Sequence, residues 1–195
     1  MKSTMLLLFL CAAASAGAAE SAKGGNMNKI LIAYAGSYGS TAEVAEFIAI
    51  TLRENGAAVT VAPAKTIKEI SGYNSVIVGS AIHAGKWLGD ATKFLKKNRA
   101  ELKKVPVAYF VVCLTMKEDT PENRKLADGY SDPARAIVAP VDVGSFAGAV
   151  KYDKMGFAVK FLMKNMIKAP EGDFRNWEQI KAWAVQLLPR LKFPT

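Results

Sequence analysis

The sequence predicts a doubly wound α/β sandwich of three layers, a five-stranded parallel sheet with helices on both faces. Three observations carry that expectation. Apolar runs of strand length recur at residues 29–35, 57–62, 75–80, 105–115 and 141–150, helical patterns separate them, and the runs are continuous rather than alternating. Continuous apolar strands are buried on both faces, as in a parallel sheet covered by crossover helices.

The elements follow in order. After the first run, Val44, Ile48 and Leu52 recur at a helical spacing of four, and Asn55-Gly56 stops that helix. Trp87 opens a second helical pattern with Phe94 and Leu95. Beyond the fourth run, Thr120-Pro121-Glu122 is a helix start with proline at the first helical position. The last helix begins near Asn176, which would cap it while Gln179 reaches back as a capping-box partner. Trp177, Ile180, Ala184, Leu187 and Leu188 would then face the sheet.

A chain of 195 residues, 51% hydrophobic and 22% charged, buries a full core and reads as one folded domain over residues 27–195. Residues 1–26 differ. One lysine precedes an unbroken apolar run, and small residues follow it, the layout of a secretory signal peptide with a short linker. Export to a periplasmic or secreted location is the expectation; a start at Met27 would instead leave a cytoplasmic protein. Cys11 lacks the small residue before it that lipid attachment wants. Residues 1–26 hold Lys2, Lys23 and Glu20, so their removal lowers the net charge only from +9 to +8. The basic excess belongs to the folded part and attracts anions, anionic lipid or acidic protein faces. Outside the leader Cys113 is the sole cysteine, which excludes a disulfide framework and reads as core packing. One histidine and one such cysteine build no metal site. Nucleic acid is not an expected partner, because no recognition motif accompanies the charge.

The turn after the first strand carries "GSYGST". Gly36 and Gly39 permit close backbone approach, the amides of residues 37–41 would converge beside the positive end of a helix dipole, and Ser37, Ser40 and Thr41 add hydroxyls. The turn holds neither lysine nor arginine, and neither a G-x-G-x-x-G nor a G-x-x-x-x-G-K-[ST] pattern. A terminal monophosphate held by neutral donors fits it better than ATP or NAD.

On "YAGSYGSTAEVAEFIA", "VIVGSAIHAGKWLGDATKFL", "VDVGSFAGAVKYDKM" and "APEGDFRNWEQIKAWA", in that order, the chain resembles the flavodoxin-like FMN proteins. Within them it is similar to the branch that includes menaquinone-dependent protoporphyrinogen IX dehydrogenase. The resemblance runs from Lys29 to Leu191. It implies FMN, with its phosphate on Gly36, Ser37, Tyr38, Gly39, Ser40 and Thr41. Its ring would lie between Ser80, Ala81, Ile82, His83, Ala84 and Gly85 on one side and Leu114, Thr115 and Met116 on the other. Gly36 departs from the family, where this position is commonly Ser or Thr. A neutral hydrogen bond is worth about 1 kcal/mol and one to a charged group about 2 to 3, against about 12 kcal/mol for nanomolar binding. The departure should weaken FMN binding without abolishing it.

His83 stands where relatives often carry Arg, and is the candidate catalytic residue: as a cation it would stabilise a reduced anionic ring, as a neutral imidazole relay a proton. Trp87 either stacks on a flat ligand or packs in the core. Residues 117–140 replace a shorter link, and Arg124, Lys125 and Arg135 would wall the flavin edge or belong to a solvated helix. Residues 151–168 hold five lysines and one acid. As a helix they place Lys160, Lys164 and Lys168 in a stripe flanked by Phe157 and Phe161, with Val159, Leu162, Met163, Met166 and Ile167 filling most of the rest. That segment either lies on an anionic membrane surface, where each basic residue is worth about 1 kcal/mol, or buries its apolar arc against the sheet or a second subunit. The oligomeric state is not legible.

The leading expectation is an exported FMN-dependent oxidoreductase exchanging electrons with a quinone or similar small redox molecule. Oxidation of protoporphyrinogen IX with a quinone acceptor is the alternative, favoured by a start at Met27. A flavodoxin-type electron carrier or a non-catalytic FMN-binding module is the second.

Overall fold

Ile30, Leu31, Ile32 and Ala33 are all buried in β1 (Lys29–Ala35), the hub from which the chain winds first to one side and then to the other. The structure is a computed structural model describing residues 28–166 and 170–191. The leader and linker at residues 1–26, and Ile167 and Lys168 of the basic segment, lie outside the described residues. From β1 the chain passes through α1 (Ser40–Glu54) to β2 (Ala58–Pro63), then crosses to β3 (Ser75–His83) on the opposite side of β1. A short β4 (Lys86–Trp87), α2 (Gly89–Lys97) and α3 (Arg99–Leu102) lead to β5 (Val107–Cys113). Then come α4 (Pro121–Gly129), α5 (Asp132–Arg135) and β6 (Asp142–Ala147), and after them β7 (Ala149–Val150), α6 (Phe157–Phe161), β8 (Gly172–Asp173) and α7 (Trp177–Leu187).

Five strands form the parallel path β2-β1-β3-β5-β6, with Ile32 opposite Ile77, Gly79 opposite Phe110 and Val111 opposite Ser145. The pleat sends Ile30 and Ile32 to one face, where Val44, Ile48 and Leu52 of α1 and Ile180, Ala184 and Leu187 of α7 cover them. Leu31 and Ala33 point to the other face, beneath Ala91, Phe94 and Leu95 of α2 and Ala134 of α5. The winding reverses between β1 and β3, so a crevice opens beyond their carboxyl ends.

Two hydroxyl or amide caps form as expected. Thr120 Oγ1 accepts from the Asn123 amide at 3.2 Å, and Asn176 Oδ1 from the Gln179 amide at 3.0 Å. The Gln179 side chain does not complete the box: its Nε2 donates to Asp119 Oδ2 at 3.3 Å, tying α7 to the turn before α4. Trp177 packs on Phe47 with ring centroids 4.8 Å apart.

Three segments depart from expectation. The third strand continues past Ser80 to His83 and folds back antiparallel on β4, through Ala84 (φ 49°) and Gly85 (φ 73°). Positive φ at both central residues is what a two-residue hairpin turn needs. Trp87 therefore sits on a strand rather than at a helix start, half-buried against the core and edge-on to Tyr109 with centroids 5.1 Å apart. The insertion is no decoration either. It buries Ala127, Ala134 and Val138, and the Tyr109 hydroxyl, held protonated by burial, donates to the Val138 carbonyl at 2.6 Å. The fifth run breaks at Gly148, and β7 pairs with β8 outside the main sheet.

Candidate functional site

A cavity of about 580 Å³ lies beyond the carboxyl ends of β1, β3 and β5. Sequence-distant segments line it: Ser37, Tyr38, Ser40 and Thr41 from the first turn, Ala81, Ile82, His83, Ala84 and Gly85 from the β3–β4 hairpin, and Val112, Cys113, Leu114 and Thr115 at the end of β5. Gly36 and Gly39 shape the first turn without lining the cavity. Ser80 and Met116 lie beneath its wall. The Ser80 hydroxyl accepts from the Leu88 amide at 2.9 Å and donates to the Ala81 carbonyl at 2.8 Å, and Met116 packs with Cys113, Ala127 and Ala147.

The first turn has the make-up of an anion cradle. Gly39 is the N-cap of α1 at φ 91°, and no side chain caps the helix. The first-turn amides lack intrahelical carbonyls and stand at the positive dipole end, where an anion could be bound. The Ser40 hydroxyl accepts from the Ala149 amide at 3.1 Å, which pins the turn to β7 and leaves its own proton to donate. Gly36 has a steric reason. A Cβ there would lie 2.8 Å from the Cβ of buried Thr41, so a serine could enter only by displacing the threonine that faces the cavity.

Charge missing from the loop in sequence arrives from elsewhere in the fold. Lys151 and Lys154 Nζ approach Glu43 Oε1 at 3.4 and 3.5 Å, and a Cβ on Gly39 would lie 3.4 Å from Lys154 Nζ. Arg175, its side chain 3% exposed, bonds Glu43 Oε2 at 2.6 Å and Asp173 Oδ1 at 2.7 Å, and lies 4.4 Å over the Trp177 ring. Hydrogen bonds from Arg175 hold both the Glu43 and the Asp173 carboxyls below their ordinary range. Three cations thus meet two carboxylates beside the first turn of α1, and a third carboxylate, Glu171, accepts from the Tyr152 amide at 3.1 Å.

At the opposite wall the His83 ring is exposed and nearly parallel to Tyr38, at 16° with centroids 6.1 Å apart. Tyr130, brought in by the insertion just after α4, lines the cavity and hydrogen-bonds Thr115 Oγ1 at 3.1 Å. The expected cationic wall is not what the insertion builds. Arg124 pairs with Asp119, and Arg135 with Asp128 and Asp132, all within the insertion, and neither arginine lines the cavity. Cys113 lines the floor as a buried thiol whose pKa burial pushes up. Met155, Val159, Leu162 and Met163 close the outer side. The last three belong to the apolar arc expected to face a membrane, the sheet or a second subunit, and here they face the cavity; nothing local in the sequence marks Tyr130.

Fold, switch-point cavity and uncapped first crossover together define a doubly wound α/β protein with an open cleft at its switch point. The chain belongs to the flavodoxin domain family, whose model matches residues 31–176. It is 26% identical over 180 residues to protoporphyrinogen IX dehydrogenase [quinone] of Escherichia coli strain K12, an alignment covering 86% of this chain and 98% of that enzyme. Among solved structures it is similar to a mutant flavodoxin of Fusobacterium nucleatum bound to flavin mononucleotide (16% identity, TM-score 0.54, 85% of this chain and 98% of that one). A flavodoxin from the domain Archaea also superposes (16% identity, TM-score 0.52, 85% and 99%).

Proposed function

We propose that the protein is an FMN-dependent oxidoreductase, exported through its leader, that exchanges electrons with a quinone or similar small redox molecule. The observation that carries the reading is the uncapped start of α1, opening with three hydroxyls onto a cavity of about 580 Å³, within the usual range for a small-ligand site. The donor set fits a terminal phosphate: orphan amides and hydroxyls, with lysines and Arg175 nearby. Residues 37–41 would hold the phosphate, and residues 81–85 with Leu114 and Thr115 would border the ring. Bound there, FMN supplies the capacity to take up and return one or two electrons. The chain does the rest. Val159, Leu162 and Met163 exclude water from the outer wall, and the Tyr130–Thr115 hydroxyl pair fixes the far edge. An imidazole nitrogen of His83 at the mouth holds or passes a proton.

The test is direct. Protein incubated with FMN and freed of excess should keep a flavin spectrum; reduced without oxygen, it should regain its colour rapidly on adding a soluble quinone. A stable flavin spectrum with no response to quinone would leave an electron carrier. Deleting the insertion is unsuitable because it anchors Tyr109, so Tyr130→Ala is the variant to compare. Protoporphyrinogen IX oxidation is the second reading, supported by the match along nearly the whole Escherichia coli enzyme. Sequencing the N-terminus of protein from its native host separates the two: a chain starting at Met27 puts the porphyrin enzyme first, a cleaved leader the exported oxidoreductase.

A further inference from the structure

α6 and the wider π turn that continues it, Leu162–Met166, contain no buried residue, yet they form the outer wall of the cavity. Their apolar side chains divide between two sides. Val159 and Met163 are half-buried against the cavity, whereas Phe157 is 87% exposed, Phe161 56% and Met166 72%. Globular surfaces carry scattered apolar residues, but two phenylalanines and a methionine standing out from one short segment mark an interaction site. The charges on it are of one sign: Lys160 and Lys164 are exposed, and residues 155–166 include no Asp or Glu.

We infer that this segment is a lid that docks on an anionic lipid bilayer, its phenylalanines entering the headgroup–acyl boundary and its lysines meeting lipid phosphates. Basic residues beside exposed aromatics are the composition of an interfacial helix. A second copy is a poor occupant, because self-docking would set Lys160 and Lys164 against the same lysines. The lid's inner side is the cavity wall, so the docked segment opens the cavity toward hydrocarbon. Resting on the proposed redox function, this gives the proposed quinone a route to the site from the bilayer rather than from water.

Co-sedimentation with vesicles tests it, with no flavin or turnover needed, so the outcome is independent of the FMN reading. The full chain should bind vesicles of mixed phosphatidylcholine and phosphatidylglycerol more tightly than pure phosphatidylcholine. Lys160→Gln with Lys164→Gln should weaken anionic binding about 25-fold, at about fivefold per lysine. Phe157→Ser with Phe161→Ser should weaken it about tenfold or more. All chains share residues 1–27, so any contribution from them cancels, and unchanged melting temperatures show the variants folded. A Phe157→Trp chain should lose fluorescence to brominated lipid beyond the wild-type level, placing this side chain in the membrane. Binding indifferent to both pairs, or an unquenched Phe157→Trp, overturns the inference. A dimer abolished by Phe157→Ser with Phe161→Ser, without vesicle binding, assigns the face to a second copy instead.

Discussion

At the first-turn end of the cavity several parts are tied to the core: Thr41 is buried, Ser40 is bonded to β7, and Arg175 is sealed between two carboxylates and an indole. At the lid end α6 touches the cavity through half-buried side chains and leaves its phenylalanines in solvent. On the proposed reading, one chain would hold its ligand's charged tail with a core-anchored frame and enclose the reactive end with an element that buries little of itself. Lids and binding loops are drawn from the low-stability end of a structure, while a preorganised cradle spends less on ordering itself.

The same substitution in the two regions measures the contrast. Phe146, 2% exposed and packed on Phe110 and Trp183, should cost about 3 to 5 kcal/mol on mutation to alanine in denaturant unfolding. Next in size is Arg175→Ala. Removing one member of a buried ion network costs about 3 to 5 kcal/mol, but Glu43 and Asp173 keep partial access to water, so about 2 to 3 is expected. The network also sets an acid limb. Both carboxyls titrate below their ordinary 4.5 and 3.8, so their contribution is complete above those values and lost as pH falls through the depressed ones. Acid unfolding curves should show that loss in the wild type and a shallower one in Arg175→Ala.

Smaller effects follow. Lys154→Ala should weaken FMN binding about fivefold, the worth of a partly exposed charge contact, while leaving riboflavin, which has no phosphate, unaffected in a fluorescence titration. Smallest of all, Phe157→Ala should change unfolding free energy by less than about 0.5 kcal/mol. A loss comparable to that of Phe146→Ala would erase the distinction between frame and lid.

Much of the frame was legible because its signals are local. Unbroken apolar runs gave the strands to within a few residues, the spacing of Val44, Ile48 and Leu52 gave the buried face of α1, and Thr120 and Asn176 cap where their types predict. The β3–β4 hairpin escaped because its turn uses Ala84 at positive φ, where Asn or Asp would have announced it. The glycine-rich turn pointed to an anion, but its cations were illegible. Lys151 lies 108 and Arg175 132 positions beyond Glu43, and only the packing of α7 on α1 and the β7–β8 pair bring them there. Tyr130 reaches the cavity for a similar reason, through an insertion whose composition suggested charge rather than an aromatic wall.

The central claim is that the first crossover recognises a phosphate, and comparing FMN with riboflavin tests it most directly. Orphan amides and hydroxyls each contribute about 1.5 to 3 kcal/mol to a charged partner, so two or more such bonds predict FMN binding at least about 100-fold tighter than riboflavin. Equal affinity for the two would contradict the account, since the tail would then contribute nothing.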